Sequence, residues 1–359
     1  MPGSLAELAE AVRSGPRVLA VGAGTKPSLS AVEAVKISTT RLSGITEYEP
    51  SEFTFTALAG TSIREIVMAL AERGQYLPFD PMCRDSGATL GGTVAAGLSG
   101  PGRFRFGGLR DFILGVRFVD GTGRLLRMGG KVVKNAAGFD LPKFFVGSLG
   151  RFGVLGELTF KVFPKPPSTL TLKLFANTAQ AAAEILIAAA NTRWEPDALD
   201  LLPGETNVCL RLAGPPGALQ EIAREILARW PGEKVSATDA ETLWSELREF
   251  GWAHAGGPLV KAVLTPDLVP RFYRELFSLE GARVHVSAGG NVAFVSIPSV
   301  SRAAALDELL RRLGVPGIAL RGGGPLWCGA HKQSKLAAAV KNALDPEHRF
   351  PELPETIER

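Results

Sequence analysis

The chain has 359 residues, a composition ordinary for a soluble globular protein, a formal net charge of +4 and a pI near 9.0. This length suffices for two domains. Lysine and arginine are spread along the sequence, which argues against a nucleic-acid-binding surface. Cys83, Cys209 and Cys328 form no C-x-x-C pair, which argues against an iron–sulfur or zinc site on this chain alone. An odd number of cysteines favours a reducing cytoplasm, so a cytoplasmic location is expected.

The first half of the chain alternates short apolar runs with amphipathic segments. The predicted helices cover 4–14 and 61–74, the second capped by Thr61 or Ser62, and TLGGTVAAG opens a further helix with Thr89 near its start. Strands are predicted in RVLAVG, in KIST, within 44–60 and in VLGELTFKVF. A hairpin is expected over FILGVRFVDGTGRLLRMGG, turned at Asp120-Gly121.

The prolines at 164–167 mark a predicted domain boundary, after which the pattern changes. Strands and helices then alternate, which indicates an α+β sandwich of the ferredoxin-like type. A last helix is predicted in HKQSKLAAAVKNALDP, and no internal repeat is visible. We therefore expect one domain over 1–165, a second over 168–330, and a C-terminal helix and tail over 331–359.

Three loops of small residues in the first half are typical of a site for phosphate groups. They are AVGAGTKP from Ala20, MCRDSGATLGGTVAAGLSGPGRFRFGG from Met82 and VGSLGRFGVLGE from Val146. Glycine lets the backbone approach a ligand closely, and runs of exposed N–H groups bind anions. One such loop is usually only a turn, whereas three favour a large, multiply charged cofactor. No G-x-x-x-x-G-K-[ST] motif is present, and the first loop lacks the third glycine and the acidic residue of a Rossmann unit.

The order and spacing of these loops resemble the FAD-binding domain of the vanillyl-alcohol oxidase / p-cresol methylhydroxylase (PCMH) flavoprotein superfamily. The resemblance covers about residues 1–165 and is carried by GATLGGTVAAGLSGPGRFRFGGLRDF, KNAAGFDL and VGSLGRFGVLGE. Within the superfamily, the chain is most similar to the smaller flavin-domain subunit of bacterial glycolate oxidase. The resemblance implies a two-subdomain PCMH-type FAD-binding domain followed by an α+β, ferredoxin-like cap domain.

The resemblance also implies which residues contact FAD. The first pyrophosphate loop would be formed by Gly22, Ala23, Gly24, Thr25 and Lys26. The second, for pyrophosphate and ribitol, would be formed by Ser86, Gly87, Thr89, Gly91, Gly92 and Thr93. The flavin ring would be bordered by Ala95, Ala96, Gly97 and Ser99. The adenosine end would be met by Gly147, Ser148, Gly153 and Val154. For each side chain, a role in a turn or in packing is an equally good interpretation.

Two departures from the family bear on catalysis. The catalytic members carry a G-D-G-N-L-H motif and an E-H-G-I-G motif, whose histidines bind a metal and the substrate carboxylate. In this chain the corresponding strand is HVSAGGNVAFV from His285, in which Ala293 or Phe294 replaces the later histidine, and the second motif is absent. No metal site is therefore expected, and no catalytic residue can be named. The first loop also lacks a histidine, which excludes a histidyl bond to FAD there.

The leading hypothesis is an FAD-binding subunit of a glycolate-oxidase-type complex that oxidises 2-hydroxy acids such as glycolate to glyoxylate. It would hold FAD noncovalently, pass electrons to partner subunits and be inactive alone. Its partners would be a catalytic flavoprotein subunit and an iron–sulfur subunit, through which it would meet the inner membrane. The alternatives are a scaffold subunit whose FAD site is unused and an independent flavin dehydrogenase.

Overall fold

The computed structural model describes residues 1–130, 140–331 and 335–352. Most of the KNAAGFDL motif lies outside the described residues. The chain divides into two compact units: unit 1 comprises 1–99, 108–165 and 332–359, and unit 2 comprises 100–107 and 166–331. The C-terminal residues thus group with unit 1, and a short piece of the second glycine-rich loop groups with unit 2.

The helices and strands are numbered in chain order. The helices are α1 (Leu5–Ser14), α2 (Ile63–Ala71), α3 (Leu90–Ala96), α4 (Arg103–Phe106), α5 (Leu141–Phe144), α6 (Ala179–Ala190), α7 (Pro216–Arg229), α8 (Ala237–Glu249), α9 (Val269–Leu276), α10 (Ala303–Arg312) and α11 (Lys335–Leu344). The strands are β1 (Val18–Val21), β2 (Val35–Ser38), β3 (Ile45–Glu49), β4 (Thr54–Leu58), β5 (Gln75–Tyr76), β6 (Ile113–Val119), β7 (Leu125–Gly129), β8 (Val154–Lys161), β9 (Phe163–Pro164), β10 (Ser168–Leu174), β11 (Ala198–Leu201), β12 (Val208–Gly214), β13 (Gly232–Val235), β14 (Leu259–Val263), β15 (Arg283–Ser287), β16 (Val292–Ser296), β17 (Pro316–Arg321) and β18 (Trp327–Gly329).

Unit 1 begins with a helix packed on a small parallel sheet. Ser4 caps α1 by accepting a hydrogen bond from the Glu7 amide, and the apolar face of the helix is buried. Strands β1 and β2 pair in parallel, with Leu19 beside Lys36. Phe350, which follows the last helix, is fully buried in the same core. The C-terminal segment therefore stabilises the sheet that precedes the first glycine loop.

The larger sheet of unit 1 has the order β3-β4-β8-β6-β7 and is antiparallel. The predicted hairpin of β6 and β7 is confirmed, and Asp120 holds its connection by accepting hydrogen bonds from Thr122 and Arg124. The region 44–60 contains two strands where one was predicted. A turn at Pro50–Glu52, followed by Phe53 at φ 52°, separates them.

Two predicted helix starts in unit 1 are confirmed. Ser62 accepts a hydrogen bond from the Glu65 amide at the start of α2, and Thr89 accepts one from the Gly92 amide at the start of α3. Each hydroxyl satisfies an amide that has no partner within its own helix. The Thr89 cap fixes the second glycine-rich loop against α3.

Unit 2 confirms the ferredoxin-like prediction and contains the motif twice. The first βαββαβ unit runs β10-α6-β11-β12-α7-β13, with the strand order β13-β10-β12-β11. The second runs β14-α9-β15-β16-α10-β17, with the order β15-β16-β14-β17. Strands β11 and β15 join the two halves into one nine-stranded sheet through the pair Leu201 and Val286. The fold motif is duplicated, although the sequence shows no internal repeat.

Candidate functional site

A cavity in unit 1 brings the first two glycine-rich loops together. It is lined by Leu19, Ala20, Val21, Gly22, Ala23, Gly24, Thr25, Lys26, Leu29, Ser30, Thr89, Gly92, Ala95, Ala96 and Leu149. All five predicted residues of the first loop are in this set. The second loop contributes Thr89 and Gly92, and the predicted flavin border contributes Ala95 and Ala96.

The first loop presents backbone to the cavity. Strand β1 ends at Val21, and the chain turns with Gly24 at φ 71°, a conformation that favours glycine. A Cβ atom on Gly22 would lie 2.3 Å from Thr89 Oγ1, so only glycine fits where the two loops meet. Across the described ranges, the amides of Gly22, Ala23 and Gly24 donate no hydrogen bond to the protein. Consecutive amides in such a turn suit the oxygens of a phosphate group.

Lys26 adds positive charge at the end of the first loop. Only 9% of the residue is exposed, and its Nζ donates a hydrogen bond of 2.8 Å to Thr25 Oγ1. An ammonium group at the wall of the cavity favours an anionic ligand.

The remaining residues predicted for the second loop lie elsewhere. Ser86 and Gly87 precede α3, and Ser86 is exposed. The Gly91 amide donates to Ala59 O, and a Cβ on Gly91 would lie 2.7 Å from that of Ala59. Gly91 is therefore accounted for by packing between α3 and the end of β4.

Of the residues predicted to border the flavin, Ala95 and Ala96 line the cavity, whereas Gly97 and Ser99 do not. Gly97 ends α3 at φ 62°, and a Cβ there would lie 2.9 Å from Gly147 Cα. Ser99 Oγ accepts a hydrogen bond from the Leu109 amide, which explains a hydroxyl at that buried position.

The third loop is bound to α3 by backbone hydrogen bonds, from the Gly147 amide to Val94 O and from the Leu149 amide to Ala95 O. Leu149 lines the cavity, whereas the predicted residues Gly147, Ser148, Gly153 and Val154 do not. A Cβ on Gly153 would lie 2.9 Å from Phe118 Cδ2, and fully buried Val154 pairs with Val119 in the sheet. The sheet thus explains the last two residues without a ligand.

Two buried hydroxyls beside these loops have no hydrogen-bond partner in the part of the chain described. They are Thr93 Oγ1 on α3 and Ser148 Oγ on the third loop. Buried polar atoms are almost always paired with protein, water or a ligand. Together with the open amides of the first loop, they fit the polar groups of a nucleotide cofactor.

Several residues of this site were not predicted from the sequence. Leu19, Leu29, Ser30 and Leu149 line the cavity, and Arg151 lies two residues beyond the last of them. Strand alternation could have identified Leu19, because side chains two apart in a strand share a face and Val21, at the start of the loop, also lines the cavity.

In unit 2, the strand that corresponds to the family's histidine motif has a closed environment. His285 is 1% exposed, and its Nε2 lies 2.8 Å from Asp200 Oδ2. The other oxygen of Asp200 accepts hydrogen bonds from Ser287 Oγ and the Ala288 amide. Phe294, one of the two residues predicted at the position of the missing histidine, is buried and stacks on the His285 ring. Asp200 was not singled out in the sequence.

The other three histidines are separate from this network. His254 Nε2 lies 2.6 Å from Gly281 O, and His348 Nδ1 lies 2.9 Å from Glu352 Oε1. His331 stacks on Trp327. Over the described residues, no three His, Cys, Asp or Glu side chains are placed to hold a metal ion together. No helix within those residues is long and apolar enough to cross a membrane.

Comparison with known proteins finds a match to an FAD-binding family for the part of the chain that forms most of the cavity. Residues 1–129 match the family model of the FAD binding domain. The chain is 40% identical over 209 residues to glycolate oxidase subunit GlcE of Escherichia coli (strain K12), covering 57% of this chain and 56% of that protein. It is 30% identical over 162 residues to glycolate oxidase subunit GlcD of Bacillus subtilis (strain 168), covering 45% and 34% of the two chains. It is 32% identical over 180 residues to D-2-hydroxyglutarate dehydrogenase of Xanthomonas citri pv. viticola, covering 48% and 38%.

The fold is similar to that of a solved structure. A solved structure of alkyldihydroxyacetonephosphate synthase superposes with a TM-score of 0.70 at 16% identity, covering 98% of this chain and 76% of that one. This similarity establishes the architecture alone. The matched region spans about half the length of the first relative, and less of the others. Residues 1–129 thus match the model of an FAD binding domain, in the part of the chain where the glycine-rich loops predicted an FAD site.

Proposed function

We propose that this protein is an FAD-binding subunit of a glycolate-oxidase-type complex, and that it holds FAD noncovalently. The observation that carries the proposal is the cavity of small residues in unit 1, within the domain that matches the FAD-binding model. No cysteine or histidine is among the described residues that line the cavity, which supports noncovalent binding. The similarity to two glycolate oxidase subunits supports the assignment to this type of complex.

The assignment of residues to FAD follows the loops. The pyrophosphate is assigned to the amides of the first loop with Lys26, and to Ser86, Gly87, Thr89, Gly91, Gly92 and Thr93. The flavin ring is assigned to Ala95, Ala96, Gly97 and Ser99, and the adenosine to Gly147, Ser148, Gly153 and Val154. The cavity geometry supports the first loop, Thr89, Gly92, Ala95 and Ala96 most directly. In the same proposal, the FAD-binding domain spans 1–165, the cap domain 168–330, and a C-terminal helix and tail 331–359.

Bound FAD supplies acceptance of a hydride from a 2-hydroxy acid and release of the electrons to a further acceptor. The role of this chain is to position the cofactor. The amides and Lys26 would neutralise the diphosphate, and small side chains at Ala95 and Ala96 would leave space for a flat ring. No residue of the chain is assigned the role of catalytic base.

We infer that the chain works with partner subunits, one a catalytic flavoprotein and one an iron–sulfur protein. His285 supports this inference, because the Asp200 carboxylate and the Phe294 ring enclose it. A substrate carboxylate cannot reach an imidazole in that environment without rearrangement. Membrane contact would then come through the partners.

The same observation favours a second candidate, a scaffold subunit whose FAD site is unused. The two functions differ in whether FAD is retained. The open amides of the first loop favour the FAD-binding subunit, because a disused pocket has no need to keep them unpaired.

The test is to purify the chain, incubate it with FAD, remove free cofactor and record the visible spectrum before and after anaerobic addition of glycolate or D-lactate. The proposal predicts flavin bands that acid precipitation releases into solution, and no bleaching until partner subunits are added. Absence of flavin would leave the scaffold function. Bleaching by the chain alone would identify an independent dehydrogenase.

A further inference from the structure

Arg151 is a buried cation that has no counterion among the described residues. Only 5% of the residue is exposed, and within the described chain no carboxylate forms an ion pair with it. Its Nε is buried and has no hydrogen-bond acceptor in the same described ranges. A buried charge is costly unless it is paired. A buried guanidinium without an acidic partner is therefore suited to bind an anion.

The groups that face Arg151 add positive charge to it. Burial, and then the charge of Arg17, lowers the pKa of Arg151. Burial, and then the charge of Arg151, lowers the pKa of Lys36. The neighbouring Lys341 has an acidic partner, because its Nζ lies 2.5 Å from Asp345 Oδ2. That carboxylate is also bound by two backbone amides, so it is not available to Arg151.

Strand geometry places these cations beside the cavity of unit 1. Arg17 immediately precedes β1, and its carbonyl accepts a hydrogen bond from the Val35 amide, so the pairing with β2 extends to it. Side chains two apart in extended backbone share a face, which places Arg17 on the side of Leu19. Lys36 is the registered partner of Leu19 in β2 and therefore shares that face too. Leu19 lines the cavity, and its Cδ1 would lie 2.8 Å from a Cβ on Gly150, the residue before Arg151. The described lining of the cavity does not include the three cations themselves, but they lie next to Leu19 and Leu149, which do line it.

Backbone carbonyls occupy some of the hydrogen-bond donors of these cations, and other donors remain for a ligand. Lys36 Nζ donates to Ser30 O and Val32 O, each at 2.6 Å, which fixes the ammonium next to a residue that lines the cavity. An ammonium has three donors, so one remains for a ligand. The guanidinium of Arg151 offers a planar fork that matches the oxygens of a phosphate.

We propose that Arg151, with Lys36 and Arg17, forms an anion subsite for a phosphate group at the edge of this cavity. The phosphate belongs either to the pyrophosphate of FAD, in which case the subsite rests on the proposed function, or to a free phosphorylated molecule. The loop resemblance did not include any of these three residues among the cofactor contacts.

The test measures stabilisation of the FAD-free chain by inorganic phosphate, as a concentration-dependent rise in melting temperature. The variants are Arg151→Gln and Arg151→Lys, and the control is Arg127→Gln, which removes the same charge from an exposed position on β7. The subsite predicts that Arg151→Gln weakens phosphate binding by about tenfold or more, the value of a charge-assisted hydrogen bond. Arg151→Lys should restore part of it, and Arg127→Gln should bind as the wild type does. Without phosphate, Arg151→Gln should melt no lower than the wild type, because it removes an unpaired charge.

Repeating the titration after saturation with FAD distinguishes the two sources. Loss of the phosphate response assigns the subsite to the cofactor, and its persistence assigns it to a free ligand. If the chain binds no FAD while the phosphate response still depends on Arg151, the proposed function fails and the subsite stands. Equal phosphate responses in the wild type and Arg151→Gln would overturn the subsite. So would a loss of stability in Arg151→Gln that is the same with and without phosphate, because that is the behaviour of a structural arginine.

Discussion

At the scale of single residues, the glycines of the three loops fall into two kinds. Gly22 and Gly24 line the cavity, although a Cβ on Gly22 would also meet Thr89, whereas Gly91 and Gly153 are outside its lining and a Cβ there would meet the protein. Both kinds have the same letter in the sequence. Only the positions of their neighbours show which glycines line the cavity and which ones packing also explains.

Gly22→Ala should weaken FAD binding by about tenfold, because an added methyl would overlap the Thr89 hydroxyl and overpacking of this kind costs about 1–3 kcal/mol. The measurement is quenching of flavin fluorescence on titration. Gly217→Ala is the matched control, since a Cβ on Gly217 meets nothing within 4 Å in α7. The control should bind FAD unchanged and gain up to about 1 kcal/mol of stability from helix propensity. Equal affinity of both variants would contradict the assignment of the first loop.

The lowered pKa of Lys261, on β14, should make the stability of unit 2 depend on pH. Burial, and then the charge of Arg103, lowers its pKa from 10.5 to about 8. Between these two values the unfolded chain holds a proton that the folded chain has released, so the free energy of unfolding rises as pH increases. In Lys261→Met this contribution is absent. Urea titrations from pH 7.5 to 10 should show the wild type gaining stability relative to the variant, and parallel pH profiles would contradict the account.

How much of the site could be predicted from the sequence depends on the range of the signal. Thr89 as a helix cap and the first loop were predicted because capping and turn chemistry are local. Asp200 was missed because its partners, His285 and Ser287, lie on a strand distant in sequence. Arg151 was missed for a related reason, since a basic residue in a glycine-rich loop is ordinarily solvated and only its burial marks it.

At the scale of elements, the Asp200 network connects β11 to β15 where the two halves of the sheet meet. One carboxylate accepts hydrogen bonds from His285, Ser287 and the Ala288 amide. The amide and Ser287 hold the start of the turn at 288–290, where Ala288 has φ 55°. These side-chain bonds reinforce a junction whose strand pairing rests on Leu201 and Val286.

Asp200→Ala should lower the free energy of unfolding of unit 2 by about 3 kcal/mol, because it leaves several buried donors without an acceptor. Asp239→Ala is the control, since Asp239 is exposed at the start of α8 and contacts the hydroxyl of the capping Ser236. That variant should cost no more than about 1 kcal/mol. Similar losses in both variants, measured by urea unfolding, would refute a special role for the network.

Two elements of unit 2, α8 and β13, were not predicted from the sequence, because each buries few apolar side chains. In α8, only Trp244 and Leu247 are buried, so the polar sequence of the helix gave little periodicity to detect. Strand β13 has no fully buried residue, and its place at the edge of the sheet explains why. Edge elements bury one face or less and leave a correspondingly weak pattern.

At the scale of the whole molecule, the duplicated fold of unit 2 shares one hydrophobic core. Buried residues of both halves, such as Leu172 in β10 and Val295 in β16, belong to the same cluster. The repeat could not be seen in the sequence, because a fold motif constrains the pattern of burial and leaves the identity of the residues free.

A shared core predicts that unit 2 unfolds cooperatively. Native-state hydrogen exchange should give the slowest amides of β10 and β16 free energies of opening within about 1 kcal/mol of each other. A difference of several kcal/mol would mean that the two halves open separately, despite their common core.

The central claim is that the cavity of unit 1 binds FAD. Its most direct test is gel filtration of the purified chain after incubation with FAD, with flavin absorbance and protein absorbance followed together. The account predicts that FAD elutes with the protein at close to one per chain and that Gly22→Ala reduces the retained fraction. If no flavin elutes with the wild-type chain even from a large excess of cofactor, the cavity is not an FAD site and the account is wrong.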